Sequence, residues 1–197
     1  MKRYDRADLP KEFRKRRIED VPTTSARQAA QKYLEELETV RDNGMGMFFI
    51  GANGTGKSMT MAIVLKGVVD AGYSARWTSL SKLVTLTMDG WFDKEDRFWF
   101  EDRYQNVDFL AIDDVGKEYR SRSGASEVVF DNLIRHRSQS MMPILLTSNK
   151  TPQEMKMAYG ESVVSLLKWR VLIVRMDGKD YRDVLQTRIA DFFTKGE

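Results

Sequence analysis

Along this chain, short unbroken apolar runs alternate with longer stretches in which apolar residues recur every three or four positions. That is the pattern of buried parallel strands and the helices that cover them. Met47 to Ile50, Val107 to Ile112, Pro143 to Thr147 and Val171 to Val174 read as strands, and Ala75 to Thr78 alternates like another. Helical spacing covers Lys57 to Asp70, with Met61, Ile63, Val64, Leu65, Val68 and Val69 on the apolar face. Ser79 to Met88, Glu161 to Lys168 and Asp180 to Phe193 read the same way, and Thr151 caps a further short helix. Ser126 to Ser140 is predicted to turn Val128, Val129, Phe130, Leu133 and Ile134 inward, with Arg135 and Arg137 outward. Ahead of the first strand, Thr23 to Ser25 offer a cap for one helix over Ala26 to Arg41, which Asp42-Asn43-Gly44 ends.

Two stretches break the pattern. Residues 1–22 are charged, weakly periodic and bounded by Pro10 and Pro22, which predicts an arm with at most a short helix over Lys11 to Ile18. Such an arm is expected to pack on a neighbour or partner, leaving residues 23–197 as one domain. Between Asp89 and Asn106, the aromatics Trp91, Phe92, Phe98, Trp99, Phe100 and Tyr104 are mixed with Lys94, Arg97 and Arg103. Aromatics among cations can stack on the bases of a single strand, or the aromatics can enter the core from a helix. The acids Asp93, Glu95, Asp96, Glu101 and Asp102 repel phosphate and favour the second reading.

Composition narrows the chemistry. No run approaches the roughly 18 apolar residues of a membrane helix, and Met1-Lys2-Arg3-Tyr4-Asp5 does not begin a signal peptide. The expectation is a cytoplasmic protein without a membrane partner. Zero cysteines exclude disulfides and thiolate metal sites, and the one histidine, His136, makes zinc a poor fit, so Mg²⁺ is the metal expected. A net charge of +3 does not by itself establish nucleic-acid binding. Basic residues do cluster, at Lys11, Arg14, Lys15, Arg16 and Arg17 and again at Lys117, Arg120 and Arg122, as solvated faces or as contacts to a phosphate backbone.

The strongest chemical signal follows the first apolar run. Gly51-Ala52-Asn53-Gly54-Thr55-Gly56-Lys57-Ser58 fits G-x-x-x-x-G-K-[ST] between a strand and a helix, the phosphate-binding loop of nucleotide-binding proteins. Its glycines let backbone N–H groups turn inward on phosphate oxygens, Lys57 supplies charge to the β- and γ-phosphates, and Ser58 is placed to ligate Mg²⁺. Met59, just beyond, completes the predicted ATP-contacting set. The run ending in Asp113-Asp114 reads as the acidic strand of such a site, with Asp113 on Mg²⁺ and Asp114 polarising the attacking water. Asn149, at the tip of the strand ending Thr147-Ser148, can orient that water and sense the γ-phosphate, or it can be an ordinary turn residue.

This order of elements resembles a P-loop ATPase of the AAA+ class, an α/β fold with a mostly parallel sheet flanked by helices and no large separate lid. Within that class the chain resembles the DnaC, DnaI and IstB family of helicase loaders and transposition helpers. The resemblance rests on Ile18-Glu19-Asp20, Gly51 to Ser58, Val107 to Gly116, Arg135-His136-Arg137 with Pro143, Thr147-Ser148-Asn149, Gly160-Glu161 and Asp180-Tyr181-Arg182. It implies that Asn149 is the sensor-1 residue, Arg182 the sensor-2 arginine, and Arg137 part of a basic stretch before the sensor strand. Three departures stand out. Only a short arm precedes the ATPase core. Asp114 stands where glutamate is commoner, and Ser162 and Leu166 stand where the family has two arginines, the second its arginine finger. Hydrolysis is therefore expected to be slow, unless Lys168 or Arg170 substitutes.

The function implied is an ATP-binding and ATP-hydrolysing replication factor. It would assemble as a homo-oligomer when ATP-bound and load a replicative hexameric helicase on single-stranded DNA, with Lys117, Arg120 and Arg122 as candidate DNA contacts. The alternatives are an IstB-like transposition helper on duplex DNA and an ATP-gated protein adaptor. A metabolic kinase is disfavoured by the lack of an arginine-rich lid.

Overall fold

The computed structural model describes residues 2–90, 100–116, 124–178, 180–181 and 186. Its centre is a parallel sheet of β1 (Gly46–Ile50), β2 (Ala75–Ser79), β3 (Phe109–Val115), β4 (Ile144–Ser148) and β5 (Val171–Arg175), in the order β2-β3-β4-β1-β5. Alternate strand residues enter opposite apolar clusters, Met47, Phe49, Phe109, Ala111 and Leu145 on one face, Phe48, Ile50, Leu110, Ile112 and Leu146 on the other. Both faces are covered, which is why the strands read as unbroken apolar runs.

The first face is covered by α4 (Lys57–Asp70), which is itself covered by α2 (Thr24–Glu35). The two helices approach so closely that a Cβ at Gly67 would come within 2.6 Å of Leu34 Cδ2. The helix predicted over Ala26 to Arg41 is in fact two. At Glu36 the backbone leaves helical geometry (φ −110°, ψ 28°), and α3 (Leu37–Asp42) restarts to bury Leu37 and Val40. The second face is covered by α5 (Leu80–Gly90), α6 (Ala125–Gln139), α7 (Pro152–Tyr159) and α8 (Glu161–Arg170). Of the aromatics predicted between Asp89 and Asn106, Phe100 and Tyr104 pack on this core with ring centroids 5.4 Å apart. Residues 91–99 lie outside the described residues.

On α6 two side chains reverse the expected faces. Val128 is 49% exposed, whereas Arg137 is 1% exposed. Arg137 Nη1 donates to Gln105 O at 2.9 Å and Val107 O at 3.0 Å, and Nη2 donates to Asp108 O at 2.9 Å and Pro143 O at 2.7 Å. These carbonyls belong to the segments entering β3 and β4, and the planar guanidinium reaches both at once. Burial pushes its pKa down to about 9, so it remains a cation at neutral pH.

Residues 2–22 do not project from the core. The helix expected over Lys11 to Ile18 is replaced by two single 3-10 turns, Lys11–Phe13 and Ile18–Asp20, after a short α1 (Lys2–Arg6). Ala7, Leu9 and Val21 are buried, and Trp77 N donates to Ala7 O at 2.8 Å, so the segment runs along the edge strand β2. Asp8, in left-handed backbone at φ 52°, anchors it through Arg103 at 3.0 Å, Arg76 at 3.5 Å and Lys82 at 3.9 Å. Phe13 packs on Trp77 with ring centroids 6.4 Å apart. Asp8→Ala is expected to lower the urea-unfolding free energy by about 1 kcal/mol, because Arg76 and Arg103 would then repel each other partly shielded from water. A change below about 0.3 kcal/mol would show that this cluster does not hold the segment.

Candidate nucleotide-binding site

The site forms where β1, β4 and β3 end side by side. The loop after β1 turns through Gly54 (φ 72°) and Gly56 (φ 86°), left-handed conformations that a side chain would disfavour. Gly56 then caps α4, whose first residues are Lys57 and Ser58. Helix and loop thus present N–H groups and the positive end of the helix dipole to one point. Lys57 is 5% exposed, and its Nζ donates to Gly51 O at 2.9 Å and Ala52 O at 2.6 Å. Thr55 Oγ1 donates to Ala52 O at 3.0 Å and tightens the loop.

Opposite the loop, Ser58 Oγ donates to Asp113 Oδ1 at 2.8 Å. Thr147 Oγ1 donates to the same oxygen at 2.5 Å and accepts from Asp114 N at 2.8 Å. Burial raises the Asp113 pKa above the usual carboxylate range, while the hydrogen bonds from Thr147 and Ser58 oppose that shift. A hydroxyl and a half-buried carboxylate within 2.8 Å of each other are hard oxygen donors of the kind Mg²⁺ takes, and a cation there would offset the partial burial of the charge. The β3–β4 register shifts between Ile112 and Val115, where Asp114 adopts left-handed backbone at φ 57°. This bulge brings Asp114 as well as Asp113 to the site, at a strain of roughly 1–3 kcal/mol.

Because β4 lies between β1 and β3, its tip stands between the phosphate loop and the acids. Asn149 Nδ2 donates to Asn53 Oδ1 at 2.5 Å, while Asn149 Oδ1 is buried without a hydrogen-bond partner among the described residues. A cavity of about 480 Å³ joins these groups. Asn53, Gly54, Gly56, Lys57, Ser58, Met59, Asp113, Asp114 and Asn149 all line it, so most of the predicted set converges. Arg182, Lys117, Arg120 and Arg122 lie outside the described residues.

Other contributors were not assigned a role at this site from the sequence. Thr147 fixes both acids, yet a threonine ending a strand looks like an ordinary strand residue. Phe13, Arg16 and Trp77 wall the cavity, and only the packing of the first residues on β2 brings them there. Tyr181 lines it too, with its N donating to Gly54 O at 2.9 Å. Of the proposed finger substitutes, Lys168 is exposed, and Arg170 donates to Ser138 O and Asn43 O, each at 3.3 Å, and stacks on Trp169.

The family described as IstB-like ATP binding protein matches residues 2–193. The replicative helicase loader DnaC of Escherichia coli (strain K12) is 24% identical over 182 residues, covering 86% of this chain and 71% of that protein. The crystal structure of the DnaC helicase loader superposes with a TM-score of 0.75 at 16% identity, over 85% of this chain and 100% of that one. A structure of the replication initiator DnaA bound to AMPPCP and single-stranded DNA gives 0.70 at 19% identity, over 93% of this chain and 56% of the other. The sheet and its covering helices are therefore the P-loop fold of the AAA+ class. With a loop, an acidic strand tip and a family match that runs almost end to end, this chain belongs to the IstB-like ATP-binding protein family.

Proposed function

We propose that the chain is an ATP-dependent factor that places a replicative hexameric helicase on single-stranded DNA. The observation that carries this reading is the likeness to a replicative helicase loader across 86% of the chain. In this reading Lys57 and the loop N–H groups hold the β- and γ-phosphates, and Ser58 and Asp113 hold Mg²⁺. Asp114 and Asn149 polarise and orient the attacking water, and Arg182 reaches the γ-phosphate. Bound ATP orders a homo-oligomer, and Lys117, Arg120 and Arg122 meet the DNA backbone. Asp114 in place of the longer acid, and Leu166 in place of a finger arginine worth about 10³-fold or more elsewhere, make turnover slow.

The test is a loading assay with the replicative helicase of the same cell and single-stranded DNA coated with its binding protein. Unwinding that requires this chain and ATP, and is lost in Lys57→Ala, is expected. The absence of any stimulation, or of any complex with the helicase, would overturn the reading. A second reading, a transposition helper acting on duplex DNA, is favoured by the family match itself. Tighter binding to duplex than to single strands would select it.

A further inference from the structure

Asn149 follows β4 in a turn whose backbone is fixed on both sides. Ser148 Oγ donates to Val115 O at 2.6 Å and accepts from Lys150 N at 3.0 Å, and Gly51 N donates to Ser148 O at 3.3 Å. What remains to be set at position 149 is the direction of the side-chain amide. One bond sets it, from Asn149 Nδ2 to Asn53 Oδ1 of the phosphate loop at 2.5 Å. Asn53 is exposed, so its own amide does not need this partner. The effect falls on Asn149, which lines the cavity and whose Oδ1 is buried without a hydrogen-bond partner among the described residues. An orphaned acceptor beside a cavity calls for a donor in the ligand. Ionised phosphate oxygens only accept, whereas a water molecule brings protons.

We propose that Asn53 is a positioning residue: by holding Asn149 Nδ2 it presents Oδ1 to the attacking water, so that Asn149 orients the nucleophile rather than gripping the γ-phosphate. The proposal rests on the reading of the site as an ATPase. In the reaction, one O–H of the water is hydrogen-bonded to Asn149 Oδ1 and the other points to Asp114. The water oxygen bonds to the γ-phosphorus, and the bond to the β–γ bridging oxygen breaks with its electron pair leaving on ADP. One proton passes to Asp114 and then to solvent, and the other stays on the released phosphate. The Asn53 side chain acts through Asn149 alone.

The experiment measures steady-state ATP turnover, and affinity for fluorescent ATP and ADP analogues, in the full chain. It compares the wild type, Asn53→Ala, Asn149→Ala, the double variant and Lys57→Ala. Asn53→Ala is expected to lower kcat about tenfold and Asn149→Ala at least as much, because the water is no longer held in line. The double variant is expected to match Asn149→Ala within about twofold, since one residue works through the other. Affinity for both nucleotides should stay within about threefold of wild type in these three variants. Losses that multiply in the double variant, or a kcat for Asn53→Ala within about twofold of wild type, would overturn the proposal. A larger loss of affinity for ATP than for ADP would overturn it too, because Asn149 would then grip the γ-phosphate. So would equal losses for both nucleotides beyond that limit, or a wild type that binds ATP and turns none over. Failure of the nucleotide reading looks different: no form binds either analogue, or Lys57→Ala binds as well as wild type.

Discussion

Lys57→Ala is expected to weaken nucleotide binding by about 100-fold or more, measured with a fluorescent ATP analogue. The ammonium is nearly buried and is held at the mouth of the loop by Gly51 O and Ala52 O. From there it faces the point on which the loop N–H groups and the end of α4 converge. A charge-assisted contact in such a partly desolvated place is worth roughly 2–3 kcal/mol, close to two orders of magnitude in affinity. The fold should survive, because the two carbonyls released belong to Gly51, which is partly exposed, and Ala52, which is exposed, so water can reach them. A melting temperature within about 3 °C of wild type, together with lost binding, is the expected pair of results. Binding within about threefold of wild type would mean that phosphate is held elsewhere.

Arg137→Ala is expected to be the most destabilising single change, by about 3–5 kcal/mol in urea unfolding. Truncation would remove every guanidinium hydrogen bond to Gln105, Val107, Asp108 and Pro143 and leave their carbonyls without those donors. Two of these residues lead directly into β3, which carries Asp113 and Asp114. The variant should therefore also bind nucleotide more weakly, although residue 137 lies at the opposite end of the sheet from the site. Arg137→Lys should lose about 2 kcal/mol, because a single ammonium cannot span both loops. A loss below about 1 kcal/mol in Arg137→Ala would contradict this account of the α6 packing.

The same residue shows where sequence pattern runs out. A run such as Met47 to Ile50 followed by Gly51 to Ser58 is local: strand, turn and helix are set by neighbours, and β1 and α4 fall where the pattern puts them. Arg137 is satisfied by carbonyls about 30 positions upstream and 6 downstream, a partnership with no periodic signature. Ala7, Leu9 and Val21 are isolated apolar residues among charges, and they become core only through tertiary packing, Ala7 with its carbonyl on Trp77 N of the edge strand β2. Good helix formers on both sides conceal the break at Glu36, which burial of Leu37 and Val40 requires. At the site, glycine spacing and paired acids were legible, whereas Thr147 and the wall of Phe13, Arg16 and Trp77 depend on tertiary placement.

The measurement that bears most directly on the proposed function is fluorescence anisotropy of the full chain. It uses single-stranded and duplex oligonucleotides, each with ATP and Mg²⁺ or without nucleotide, with Lys57→Ala beside the wild type. The account predicts single-strand binding at least about tenfold tighter with ATP than without it, with that gain absent in Lys57→Ala. Preference for duplex, or single-strand binding indifferent to ATP and to Lys57, would contradict it.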